Sequence, residues 1–288
     1  MTENPNILLI ILDSARAKNM SLYGYKRETT PFLEEFSEKA TVYTQARAPS
    51  IHSIASHVSI FTGRHVEEHD AIHHTAEIDT DKTIWRELQS SSEYSTGLFT
   101  NNRIISSASN LSDCFDYISQ PNYPISERLK EFTPLFEDAY YPGAENGISG
   151  IGGHTRRSLR DDKKLKSLVN CGGEQILSST ARIESFIDNP DSKYREIHGG
   201  EFTQNFLEWK TRQEGPWAAC INLMDTHSPY KPQNQFNQWG EDKTWTVQNE
   251  NKPKISELLD GTGWDRIKAL ESLYDGALLQ ADSILVCV

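Results

Sequence analysis

Ser53 and His57 lie four residues apart in the stretch SIASHVSIFTG, residues 53–63, about one helical turn from each other. Ser is a good helix N-cap and Gly63 a good C-terminal stop, so one reading is an ordinary short helix. The other is an oxygen nucleophile held at a helix N-terminus, where unpaired backbone N–H groups and the helix dipole favour an anion. Two acidic residues stand in comparable places: Asp13 follows the apolar run ILLIIL, and Asp225, with His227 beside it, follows WAACINL. In open α/β sheets ligands gather outside the carboxyl ends of the strands, so an Asp where a strand gives out is a candidate site residue. A helix-capping or turn-making Asp is the competing account for Asp13.

The elements that must position these residues follow from periodicity. Residues 7–12 are continuous, branched and apolar, bounded by Asn-Pro-Asn and Asp-Ser, which predicts a strand buried on both faces of a parallel sheet. Residues 29–40, with Pro31 near the start and apolar residues at 32, 33 and 36, predict a helix. VYTQARAPS, residues 42–50, reads as a strand or extended arm that delivers the chain to Ser53. Residues 82–89, 200–213 and 265–281 read as helices, and 95–100 and 217–223 as strands, the first ending in a turn at Asn101-Asn102. This alternation predicts an α/β fold, a mostly parallel central sheet with helices on both faces. From about Pro121 the pattern fails in a Gly-rich polar run, so 121–199 is expected to be a loop-rich insertion. GISGIGG within it lacks the Lys-Ser/Thr ending of a phosphate loop.

Composition bounds the function. At 288 residues and 36% hydrophobic the chain can bury a large core, and a formal net charge of −12 argues against nucleic acid as a partner. An anionic substrate would need a local positive centre, such as a metal ion. The four cysteines, Cys114, Cys171, Cys220 and Cys287, form no CxxC pair, which indicates neither a zinc ribbon nor a disulfide scaffold. The N-terminal apolar run of six residues fits neither a signal peptide nor a membrane span, so a cytoplasmic protein is expected.

Taken together, these pieces resemble the sulfatase family of the alkaline phosphatase superfamily. PNILLIILDSAR followed by SLYGYKRETTPFLEEF resembles its opening strand, metal-ligand turn and first helix. SIASHVSIFTGRH resembles its C/S-x-P/A-S-R-x-x-x-x-T-G signature, with Ser53 at the nucleophile position, Ala55 at the Pro/Ala position and His57 at the Arg position. NLMDTHSPYKP, residues 222–232, resembles its D-x-H-x-P-Y segment, and LYDGALLQAD the helix before the last metal-ligand strand. The resemblance touches nearly the whole chain, with four motifs in order.

The resemblance implies a sulfuric ester hydrolase in which a maturing enzyme oxidises the nucleophile residue to formylglycine. The hydrated aldehyde attacks sulfur, and the sulfated diol collapses by elimination. It further implies Asp13 and Ser53 as ligands of a divalent metal ion, Ca²⁺ ahead of Mg²⁺. Asp225 and His227 would bind the substrate, with His227 protonating the leaving oxygen. His57 would orient the modified Ser53 hydroxyls in place of Arg. The implied substrate is a small-molecule or carbohydrate sulfate ester, with leaving-group contacts from the loop 233–254 that carries Trp239 and Trp245.

The chain also departs from the family. Asp13-Ser14 stands where paired carboxylates are common, no S-D-H-G segment follows Asp282, and the family's small C-terminal domain has no counterpart. The expectation is a sulfatase-like N-terminal catalytic domain over residues 1–288 with an incomplete metal site. Three rivals remain: a phosphate or phosphonate ester hydrolase that uses the Ser53 hydroxyl directly, a non-catalytic remnant, and a histidine-based metal protein. The last rests on His52, His57, His65, His69, His73 and His74, of which His65, His69 and His73 share a four-residue spacing. HVEEH nevertheless lacks the Glu of HExxH.

Overall fold

The structure, a computed structural model, describes residues 4–119, 159, 163–170, 199–240 and 253–288. The chain divides into two compact units, Met1–Pro121 with Ile197–Val288, and Asn122–Glu196. In the second unit residues 164–170 are helical, and apart from residues 159, 163 and 199 the rest of the expected 121–199 insertion, GISGIGG included, lies outside the described residues. Trp245 lies outside them too.

Among the described residues the first unit is built on four parallel strands: β1 (Ile7–Leu12), β2 (Ser95–Thr100), β3 (Tyr117–Ser119) and β4 (Trp217–Leu223). Their order is β1-β4-β2-β3, so the strand latest in sequence sits between β1 and β2. Among the described residues this makes β1 an edge strand, partly exposed along its length, where the apolar run had predicted burial on both faces. β4 lies inside the sheet, with Ala218, Ala219 and Cys220 fully covered. Burial pushes the Cys220 thiol pKa well up, which keeps it an inert core group.

Alternate strand residues feed two cores, one on each face, as a period of two requires. Leu9, Ile11, Leu98 and Cys220 pack against Ile54, Val58 and Phe61 of α2 (Ser53–Thr62) and Trp85 of α4 (Ile84–Ser92). Leu8, Ile10, Phe99 and Ile221 pack against Phe202, Phe206 and Trp209 of α6 (Gly199–Lys210) and Leu285 of α8 (Trp264–Leu285). Short helices α3 (Val66–His69), α5 (Arg103–Ser106) and α7 (Ile255–Leu259) are also present, the first two against α2. A parallel sheet with helices on both faces is thus present as expected. VYTQARAPS, by contrast, forms no strand; residues 42–49 are exposed, and an alternating pattern without a neighbouring strand has nothing to pair with.

Helix α1 (Pro31–Ser37) is shorter than predicted because its start is set from afar. Asp282 of α8 accepts from Phe32 N at 2.8 Å and Leu33 N at 3.0 Å, while the Thr30 side chain accepts from Leu22 N at 3.1 Å instead of capping its own helix. Two turns earlier on α8, Asp275 receives Asn19, Tyr25 and Arg27. Burial, and then the hydrogen bond to Asp275, push the Tyr25 phenol from its ordinary pKa of 10.0 up to about 12. A raised folded value favours the protonated phenol, so this contribution is complete below about pH 10 and lost as pH rises through about 12. In an alkaline absorbance titration of the folded protein, Tyr25→Phe is expected to remove one late-ionising phenol; an unchanged high-pH step would contradict the assignment.

Candidate active site

Helix α2 begins at Ser53, but Ser53 does not cap it. The N-cap is His52, in extended conformation (φ −118°, ψ 141°) and without a side-chain capping bond. The first ladder bond runs from Ser56 N to His52 O at 3.0 Å, leaving the N–H groups of Ser53, Ile54 and Ala55 outside the helix ladder. No acidic residue occupies the first turn, and among the described residues the Ser53 hydroxyl has no hydrogen-bond partner. The helix closes at Gly63, whose φ of 67° lies in the left-handed region that a residue without Cβ adopts freely. Ser53 is therefore not the ordinary N-cap, and its hydroxyl is left uncommitted among the described residues.

The carboxyl end of the sheet is joined to this turn by a buried polar chain. His57, 3% exposed, donates through Nδ1 to Ser53 O at 2.7 Å, and its Nε2 faces the Asn222 side chain at 3.2 Å. Asn222 and Thr100, partners in the β2–β4 register, meet side chain to side chain at 3.3 Å. Thr100 Oγ1 accepts from Asn102 N at 2.9 Å, and Asn102 Nδ2 donates to Asp13 Oδ2 at 3.0 Å. The line runs His57, Asn222, Thr100, Asn102, Asp13, from the Ser53 turn across three strand ends. Both His57 nitrogens are thereby engaged with groups other than the Ser53 hydroxyl.

Asp13 extends the ladder by one bond, donating its N–H to Leu223 O at 2.9 Å. Ser14, with φ 62°, turns the chain sharply and donates to Asp13 Oδ1 at 3.2 Å. Thr226, after β4, donates its hydroxyl to Asp13 O. Tyr274 of α8 holds this turn from the other side, donating to Ser14 O at 3.1 Å and accepting from Arg16 N at 2.8 Å. Burial raises the Tyr274 pKa, so the phenol stays protonated for both bonds. Its ring also meets Tyr230 edge-on at 5.2 Å, tying the Asp13 turn to the loop that carries His227.

Arg16 was missed in the sequence. Its guanidinium carbon lies 4.2 Å from the Tyr274 ring centroid, on an exposed turn. Among the described residues it makes no ion pair, which leaves its charge available to an anion in a chain of net charge −12. Asn102 and Asn222 were missed too. The signal for Arg16 was its place three residues after Asp13.

The remaining expected residues divide. His227 is exposed; its Nδ1 lies 2.7 Å from Ser228 O, and among the described residues Nε2 makes no hydrogen bond. Asp225 is spent on scaffolding: Oδ2 accepts from Gly199 N, at the start of α6, at 3.0 Å, and Oδ1 from Gln280 Nε2 at 2.6 Å. The histidine spacing does not make a metal face, because α3 spans only Val66–His69. His69 accepts from Ala71 N through Nδ1 at 3.1 Å and meets Ser59 Oγ through Nε2 at 2.9 Å.

A hard cation such as Ca²⁺ takes six to eight oxygen ligands. Asp13 is one carboxylate, Ser14 replaces a second, and among the described residues no group of three His, Cys, Asp or Glu side chains converges. The described residues alone therefore do not fit such an ion, and no chemical step below is routed through one.

Known structures share this fold. The chain superimposes on the phosphonate monoester hydrolase of Agrobacterium radiobacter with a TM-score of 0.57 at 13% identity, covering 98% of this chain and 58% of that one. It superimposes on the zinc complex of the periplasmic domain of EptC from Escherichia coli with a TM-score of 0.55 at 15% identity, covering 100% and 59%. For the 2-O GAG sulfatase BT1596 the TM-score is 0.51 at 12% identity, covering 99% and 54%. The chain therefore spans somewhat more than half the length of these proteins, and the likeness shows the fold. No curated protein matches the sequence. No helix among the described residues is long and apolar enough to cross a membrane. The sequence model described as Sulfatase matches residues 5–287, almost end to end, and the chain belongs to the sulfatase family.

Proposed function

We propose that the chain hydrolyses a sulfate monoester of a small molecule or carbohydrate, with Ser53, oxidised to formylglycine, as the nucleophile. The observation that carries this reading is the uncommitted Ser53 hydroxyl at the uncapped start of α2. Oxidation by a maturing enzyme removes two hydrogens from the Ser53 side chain, and water adds to the aldehyde. One hydroxyl of the diol attacks sulfur and gives up its proton to water as the sulfur–oxygen bond to the leaving group breaks, and His227 Nε2 gives the departing oxygen its proton. The second hydroxyl then returns a proton to His227 Nε2, the carbon–oxygen bond to sulfate breaks, and the aldehyde is regenerated. The N–H groups of residues 53–55 and the Arg16 guanidinium balance charge on the sulfate oxygens. His57 is a positioning residue that fixes the Ser53 turn through its carbonyl.

The deciding experiment is peptide mass spectrometry of the Ser53 region after co-expression with a serine-type maturing enzyme, with aryl sulfate and aryl phosphate turnover assayed on the same sample. Formylglycine with sulfate turnover supports the proposal. Unmodified Ser53 with phosphate or phosphonate turnover would establish direct attack by the hydroxyl instead.

Two further outcomes follow. Arg16→Met is expected to raise KM for the sulfate ester about tenfold while changing kcat less, the pattern of lost ground-state binding. A KM unchanged by the substitution would remove Arg16 from the site. Calorimetry is expected to show Ca²⁺ binding no tighter than about 10⁻⁴ M, since the donor set is poor. Tighter binding would mean that ligands come from beyond the described residues.

A further inference from the structure

A cavity of about 280 Å³ lies between α6, the turn at 233–236 and the C-terminal part of α8. Gln204, Gln233, Gln235 and Gln280 contribute amides to its wall, and Thr203 and Ser283 hydroxyls. Leu207, Phe236 and Ile284 supply apolar surface, and the exposed thiol of Cys287 stands at its edge. No carboxylate, ammonium, guanidinium or imidazole lines it among the described residues, in a chain that is 24% charged.

This lining selects by chemistry. Without a cation in the wall and with a net charge of −12, an anion has no partner there. A wholly apolar ligand would cover Gln204 Oε1, Gln235 Oε1 and Gln233 Nε2, which make no hydrogen bond among the described residues, and that is costly. Gln204 and Gln235 each donate once and keep the amide oxygen, Gln233 keeps its amide nitrogen, and the hydroxyls of Thr203 and Ser283, which donate to Gly199 O and Gln280 O, keep lone pairs to accept with. Paired donor and acceptor groups beside an aromatic ring and two aliphatic side chains match a ring whose edge carries hydroxyls and whose faces carry C–H bonds. The volume, near the lower end of the roughly 300–1,000 Å³ of ligand pockets, suits one such ring.

We propose that this cavity binds a neutral sugar unit. Gln280 joins it to the strand-end loop: its Oε1 accepts from Gln233 N at 2.8 Å while its Nε2 holds Asp225. A ligand seated against Gln280 braces the segment 225–233, which carries His227. The proposal goes beyond the reading of Ser53 and does not depend on it.

Cys287 supplies the reporter, because Cys114 and Cys220 are buried and each cysteine peptide is resolved separately by mass. The rate of Cys287 alkylation by iodoacetamide is measured with glucose, galactose, N-acetylglucosamine or sodium sulfate added. At least one sugar is expected to slow it saturably, about tenfold at ten times its Kd, while sulfate does nothing. Gln204→Leu with Gln235→Leu, at exposed positions that leave folding intact, is expected to abolish the protection, and Ser53→Ala to leave it unchanged. Protection by sulfate alone, or no protection by any sugar, would overturn the proposal. Should Cys287 prove unreactive, saturation-transfer NMR with the same sugars on wild type and the double variant decides: transfer to a sugar that the double variant loses supports the proposal, and its absence overturns it.

Discussion

Ser53→Ala is expected to lower turnover by on the order of 10⁴-fold or more while moving Tm by no more than about a degree. The two halves of this result have separate causes. In the proposed reaction activity falls because the attacking diol can form only from the Ser53 side chain. The fold is indifferent because the hydroxyl makes no hydrogen bond among the described residues, His52 holds the N-cap position, and Ala is a better helix former than Ser. His57→Ala makes the contrast: it breaks the bond to Ser53 O and strips the Asn222 side chain of a partner inside the core, so activity and about 1–3 kcal/mol of stability should fall together. Ser53→Cys separates the two nucleophile chemistries. A maturing enzyme that accepts Cys would regenerate the same formylglycine and restore sulfate turnover, whereas direct attack by a serine hydroxyl would not be restored. Substantial turnover by Ser53→Ala would sink the nucleophile assignment outright.

The scaffold was legible where a single segment carries its own signal. β2 and β4 begin and end at the predicted residues, because Pro, Gly and Asn flank runs that can only be strands. β1 was placed correctly, yet its exposure was misjudged. An apolar run marks a strand but not its position in the sheet, and the edge is set by β4 inserting between β1 and β2. Ser53 misled in the opposite direction: a good capping residue at a helix start is displaced from the cap by one position, which leaves its hydroxyl without a hydrogen-bond partner among the described residues. The polar chain from His57 to Asp13 was invisible for another reason. Asn222 and His57 are 165 residues apart, and an Asn inside an apolar strand carries no mark of what it will face. Arg16 likewise reads as one more surface cation until Tyr274, 258 residues on, comes to lie beneath it.

Asp275→Ala should cost about 3–5 kcal/mol, the usual consequence of removing one partner from a buried ion pair, and lower Tm by roughly 10 °C. The Asp275 carboxylate is fully buried. Its Oδ2 accepts from Arg27 Nη1 at 2.7 Å and Tyr25 Oη at 2.8 Å, and its Oδ1 from Asn19 Nδ2 at 2.8 Å. Deleting it leaves the mostly buried Arg27 without a carboxylate partner at that position and leaves Asn19, whose Oδ1 is already unsatisfied, with one bond fewer. Desolvation makes the pair costly to break but not uniquely stabilising, so Arg27→Leu combined with Asp275→Leu is expected to recover much of the loss. Gly276, the next residue, sets a second constraint: a Cβ there would come within 2.7 Å of Phe236 O, so α8 must meet the 232–236 turn backbone to backbone. The effect reaches the site through Tyr274, which precedes Asp275 on α8 and pins the Ser14–Arg16 turn. Loosening this part of α8 should therefore raise KM by way of Arg16 even at temperatures where Asp275→Ala remains folded. A variant that melts normally would show that Asp275 is dispensable to the fold, and one that melts early with an unchanged KM would show that the Arg16 turn stands without it.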